Sequence, residues 1–143
     1  MNQDCPFCTG ARKENRILKE GKYAYVIFSN PRLMPGHILV IPKRHVEGRL
    51  EELTVEERGE IFDFLSEFQA KILKKISSGC DIRQNYKPYV ENSRTHINHL
   101  HFHLNPREYK DELYEKVDVY RKAFYRDLTE EEKNRLFALF SDP

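Results

Sequence analysis

Three imidazoles stand two residues apart at His99, His101 and His103, alternating with Leu100, Phe102 and Leu104. On a helix, side chains two apart point in widely different directions. On a strand they share one face, with the apolar residues on the other. The rings would then follow one another at roughly 6.6 Å, so a phosphate-sized group could touch neighbouring rings. With an ordinary pKa of about 6.5, imidazole is largely neutral and nucleophilic at pH 7. A backbone carbonyl that takes one ring N–H leaves the other nitrogen for a substrate. The competing reading is a half-buried strand whose outer face happens to carry histidines. Against it, all six histidines fall in two short segments, His37 with His45, and His96 with the three above. A fold that joins those segments makes a site.

Cys5-Pro6-Phe7-Cys8 adds a second kind of chemistry. Two cysteines at this spacing can aim both sulfurs at one metal ion. A thioredoxin-like redox pair would instead follow a strand and open a helix, whereas this one stands at the start of the sequence; two unmetallated thiols are the plainer alternative. A metal needs two further ligands, which the histidine segments can supply. No Walker-type glycine loop and no carboxylate cluster for Mg²⁺ accompanies the histidines. The chemistry is therefore expected to need no cofactor.

His99-Leu100-His101-Phe102-His103-Leu104-Asn105 resembles the His-φ-His-φ-His-φ-φ signature of the histidine triad (HIT) superfamily of nucleotide hydrolases and transferases, polar Asn105 being its one departure. Pro35-Gly36-His37 through Pro42-Lys43-Arg44-His45 is similar to that family's second landmark. The resemblance covers roughly residues 5–107. It implies that His101 attacks the α-phosphorus of a nucleotide, forming a nucleotidyl-histidine that water hydrolyses to a nucleoside monophosphate. His103 and His37 would then hydrogen-bond phosphate oxygens or the leaving group.

The same resemblance implies that Ser29 or Asn30 holds the ribose. Thr95 and His96 stand where the family has a glycine-rich Gln-Ser or Gln-Thr segment, so phosphate contacts there fall to Ser93, Thr95 or His96. It implies a structural Zn²⁺ on Cys5, Cys8, His45 and His99, with His96 a rival ligand. It further implies a purine nucleotide substrate, either a dinucleoside polyphosphate or a nucleoside phosphoramidate, and a homodimer. Nucleotidyl transfer, or a nucleotide- or zinc-binding module without turnover, are the alternatives.

The elements that must position these residues are legible. Tyr23–Phe28 is a β-branched and aromatic run bounded by Gly21 and Ser29-Asn30-Pro31, and His37–Ile41 is expected to pair with it antiparallel. Thr54-Val55-Glu56-Glu57 is a capping box opening a helix striped by Ile61, Leu65, Phe68, Ile72 and Ile76, which Ser77-Ser78-Gly79 ends. Cys80–Lys87 is expected as a strand, Pro88–Asn98 as a loop, and the triad strand closes at Pro106-Arg107. Two helices should follow. Leu113, Val117, Tyr120 and Phe124 stripe the first; Thr129 caps the second, whose apolar face is Leu136, Leu139 and Phe140. The fold class expected is α+β, a HIT-like fold with about five mainly antiparallel strands over residues 1–107. A helical extension, 108–143, would pack on the same domain or on a dimer partner.

The 143 residues suffice for one core. With 24 basic against 23 acidic residues, no basic field points to nucleic acid or a membrane surface. Met1-Asn2-Gln3-Asp4-Cys5 has no basic or apolar leader character, and three cysteines make no disulfide framework. A reducing cytoplasm is the expected compartment.

Overall fold

The computed structural model describes residues 4–9 and 15–141. Residues 1–109 form one compact unit and residues 110–143 a second. Within the first, β1 (Ile17–Glu20), β2 (Ala24–Phe28), β3 (Ile38–Pro42), β4 (Gly79–Gln84) and β5 (Phe102–Arg107) make an antiparallel sheet in the order β1-β2-β3-β5-β4. The central strands β2 and β3 are buried almost throughout, which is why they read as unbroken apolar runs.

Strand parity sorts the core into two layers. Ala24, Val26, Ile38, Val40 and Leu104 face α1 (Val55–Lys75), where they meet Ile61, Phe64, Leu65, Phe68 and Ile72. Tyr25, Ile27, Leu39 and Ile41 face the other way and pack on Cys5, Phe7 and Cys8. The capping box forms as expected. Thr54 Oγ1 accepts from the Glu57 N–H at 3.1 Å, and Glu57 Oε1 accepts from the Thr54 N–H at 2.9 Å. Buried Glu57 also accepts from Arg44 Nη2 at 2.8 Å and Nε at 3.1 Å. The segment carrying His45 is thereby tied to the start of α1. The Arg44 guanidinium holds the Glu57 carboxyl below the usual carboxylate range.

Three expectations change. The apolar stripe ends at Ile72: Ile76 lies past the last helical turn and is 57% exposed. The strand expected over Cys80–Lys87 runs over Gly79–Gln84, because β5 supplies partners only that far. The triad does not sit on one regular strand. Pairing begins at Phe102, so only His103 lies in β5, and His99–His101 approach it as irregular chain. Alternation nonetheless persists, with Leu100 and Leu104 in the α1 layer and the histidines opposite.

The second unit is helical. Its first stretch is a mixture, π-helical over Tyr114–Asp118, α-helical over Val119–Arg121 and 3-10 over Lys122–Phe124, rather than one regular helix. Its expected stripe is exposed at Val117, Tyr120 and Phe124, so little apolar burial enforces a single period. Glu130–Ser141 is α-helical, with the Glu132 N–H donating to Thr129 Oγ1, while Leu139 and Phe140 are exposed. Among the described residues no helix is long and apolar enough to cross a membrane.

Candidate active site and metal centre

On the layer opposite α1, β5 pairs His103 with Leu39 of β3 and with Arg83 of β4. His37, two residues before Leu39, stands on the same face at the entry to β3. The His37 and His103 rings meet with nitrogens 2.9 Å apart, and the His101 and His103 centroids lie 4.7 Å apart. That is closer than ideal strand spacing, because the chain is irregular at His101.

The hydrogen bonds determine each tautomer. A neutral imidazole has one donor and one acceptor nitrogen. The Leu33 N–H donates to His37 Nδ1 at 3.0 Å. The His37 proton is therefore on Nε2, which donates to His103 Nδ1. His103 then carries its own proton on Nε2. His101 is set the opposite way: its Nδ1–H donates to the His99 carbonyl at 2.6 Å, leaving Nε2 as a bare lone pair. Burial, then the charge of Arg83, pushes His37 down to about 4. Burial, then His101, His37 and Arg83, pushes His103 down to about 3. His101 is also lowered, by burial first, against the bond to His99 O. All three rings are thus neutral near pH 7.

His37, His101 and His103 line an open cavity of about 650 Å³. Ser29, Asn30 and Thr95 border it too. The Ser29 hydroxyl donates to the Pro31 carbonyl at 2.8 Å, while Asn30 is exposed at the rim. A tight turn closed by the Ser93 N–H on the His96 carbonyl at 2.7 Å carries Arg94 and Thr95 at its tip. His96 does not line the cavity; its Nε2 meets Asn98 Oδ1 at 3.0 Å. Asn105, the signature's departure, is buried with Oδ1 lacking a partner among the described residues. Sequence reasoning missed Phe7, Arg16, Arg32, Arg83 and Arg94, all on the cavity wall. No local motif marks them, since their neighbourhood comes from strand register and loop closure.

The second cluster gathers Cys5, Cys8, His45 and His99, whose ligand atoms all lie within 4.8 Å of one another. Cys5 Sγ is 3.4 Å and Cys8 Sγ 3.5 Å from His99 Nδ1; Cys8 Sγ is 3.4 Å and His99 Nδ1 3.1 Å from His45 Nδ1. Tetrahedral Zn²⁺, at bond lengths near 2.3 Å to sulfur and 2.05 Å to nitrogen, requires S···N edges of about 3.6 Å and N···N edges of about 3.3 Å. The geometry fits. The tautomer fits as well: His99 Nε2–H donates to the Pro42 carbonyl at 2.8 Å, so Nδ1 turns a lone pair to the sulfurs. His96, the rival ligand, is not among the four. Phe7, between the two cysteines, packs edge-on to His99 at 5.9 Å and His101 at 5.1 Å, so the metal cluster and the cavity share a wall.

The HIT domain family matches residues 10–110. The chain is 33% identical over 79 residues to a bis(5'-nucleosyl)-tetraphosphatase (asymmetrical) of Schizosaccharomyces pombe, covering 55% of this chain but only 42% of that protein. It is 24% identical over 135 residues to a bis(5'-adenosyl)-triphosphatase of Dictyostelium discoideum, covering 91% and 89% of the two chains. The fold is similar to that of a HIT family protein from Bacillus subtilis, with a TM-score of 0.76 at 20% identity over 97% and 96% of the two chains.

Proposed function

This chain belongs to the HIT domain family, and from that premise we propose that it is a nucleotide hydrolase cleaving at the α-phosphate through a covalent nucleotidyl-His101. The observation that carries the reading is the opposed tautomers of two adjacent rings. His101 offers an unprotonated Nε2 and His103 a protonated one, in one open cavity. His101 Nε2 forms the bond to phosphorus while the bond from phosphorus to the leaving group breaks. His103 Nε2–H, held in place by His37 and through it by the Leu33 amide, donates to a phosphate oxygen or to a leaving amine. Water then attacks the nucleotidyl-histidine: the P–N bond breaks with its electron pair returning to His101 Nε2, and the nucleoside monophosphate leaves. The water's proton passes to His103 Nε2 where an amine took the earlier one, or to solvent where the leaving group departed as an anion. The relatives' names, a tetraphosphatase and a triphosphatase of dinucleosides, support this substrate class.

Ser29 and Asn30 at the end of β2 are the proposed ribose contacts, and Thr95 a phosphate contact, from their places on the wall. The four-ligand cluster is proposed to bind structural Zn²⁺, which would cross-link the N-terminal segment to the chain at His45 and His99. A homodimer is proposed from the family resemblance, and a reducing cytoplasm from three cysteines that make no disulfide framework; light scattering and fractionation are the checks.

The test is chromatography of products from purified protein given a diadenosine polyphosphate or adenosine phosphoramidate without added divalent metal. Wild type should release AMP, and His101→Ala should lose a thousandfold or more in kcat while nucleotide affinity changes less than tenfold. Binding without AMP release by the wild type would refute the hydrolase.

A further inference from the structure

Arg16, Arg32, Arg83 and Arg94 border the cavity, against Asp4 as its one carboxylate among the described residues. Arg16 is engaged, donating from Nη1 to the Phe28 carbonyl at 2.7 Å. Arg83 is placed by the sheet: its Cα is the register partner of His103, so the two side chains stand side by side on one face. Asp81, two residues away on that face, is taken by Arg107. Among the described residues no carboxylate pairs with Arg32, Arg83 or Arg94. All three are exposed at the cavity and lack a counter-charge among those residues. Three such cations exceed what one α-phosphate needs, since the His103 Nε2–H already faces it with a neutral donor.

The chemistry of the leaving group says what they would serve. A leaving amine must receive a proton. A guanidinium, protonated at every physiological pH, is a poor source of one, so that task belongs to His103 Nε2–H. A leaving nucleoside polyphosphate departs as its anion, because the oxygen it exposes has a pKa of only about 6. The His101 N–P bond forms, the P–O bond to the bridging oxygen breaks, and the electron pair stays on that oxygen with no proton required. A cation beside His103, as Arg83 is, with further cations on the same wall, stabilises that developing charge.

We propose that Arg83, with Arg94 and Arg32, forms a subsite for the phosphates beyond the scissile bond, selecting substrates whose leaving group carries several negative charges. The proposal rests on the hydrolase reading above and chooses between its two substrate branches. It assigns the choice first to a β4 arginine, Arg83, with Arg94 of the loop before the triad in support.

The experiment compares wild type, Arg83→Gln and Arg83→Lys on diadenosine tetraphosphate and adenosine phosphoramidate, both of which yield AMP. Wild type should favour the tetraphosphate in kcat/KM. Arg83→Gln should lower the ratio of the two kcat/KM values tenfold or more, and Arg83→Lys, which keeps the charge, should lower it less. A wild type that prefers the phosphoramidate, or a ratio unchanged within twofold in Arg83→Gln, overturns the proposal. Should wild type turn over neither substrate, the hydrolase reading fails, and calorimetric titration decides the subsite by itself. ATP should then bind wild type at least tenfold more tightly than AMP, and Arg83→Gln should remove most of that difference. Equal affinity of wild type for the two nucleotides overturns the subsite as well.

Discussion

Replacing His37 by Asn should change how stability depends on pH, by an amount that follows from its burial. In the folded protein His37 is 6% exposed and its pKa is lowered to about 4, against about 6.5 for an unfolded imidazole. Between those values the unfolded chain binds a proton that the folded one refuses. Stability is therefore full above about pH 6.5 and falls as the pH drops towards 4. Each unit is worth about 1.4 kcal/mol, so going from pH 7.5 to pH 5 costs about 2 kcal/mol through His37 alone. Asn keeps a side-chain oxygen able to accept from the Leu33 N–H but does not titrate. Urea unfolding at the two pH values gives four free energies. The wild-type loss should exceed the His37→Asn loss by about 2 kcal/mol, whatever the substitution does to stability at pH 7.5. Equal losses would show that His37 is not held neutral by burial, and the tautomer chain from Leu33 to His103 would lose its first link.

Chelation, or Cys8→Ala, should lower Tm by 10 °C or more and release about one zinc per chain, read by inductively coupled plasma mass spectrometry beside a melting curve. Zinc-free protein with an unchanged Tm would contradict the structural role. Thr54→Ala removes the cap acceptor and should cost about 1 kcal/mol in urea unfolding. Gly36→Ala meets a backbone at φ +86 with Pro106 Cγ 3.0 Å from the new methyl. It should cost about 1–2 kcal/mol and, by shifting the entry to β3, raise KM more than Thr54→Ala does. Ile72→Ala opens the α1 layer and should cost about 2–4 kcal/mol with little effect on KM.

Much of this protein was legible because short-range periodicity carries it. The alternation from His99 to Leu104 divides rings from core whatever the ladder does, so it survived the finding that only His103 lies inside β5. The capping box at Thr54 and the Cys5–Cys8 spacing are local devices, and each formed where its residues stand. Stripe reasoning failed at Ile76, past the last helical turn, and the Val117, Tyr120 and Phe124 stripe stands exposed in the single chain without enforcing one regular helix. Tertiary structure alone decided the rest. The tautomers depend on Leu33 meeting His37, His37 meeting His103, and the main-chain carbonyl of His99 lying under His101. The metal cluster needs segments 37 and 91 residues apart in sequence to bring Sγ and Nδ1 within 3.5 Å. Arg83 joins His103 only because β4 and β5 pair in one register and not the next. Sequence order determines which residues are neighbours along a strand; strand register and loop closure, enforced by the burial of two core layers, determine which charges come to face the same cavity.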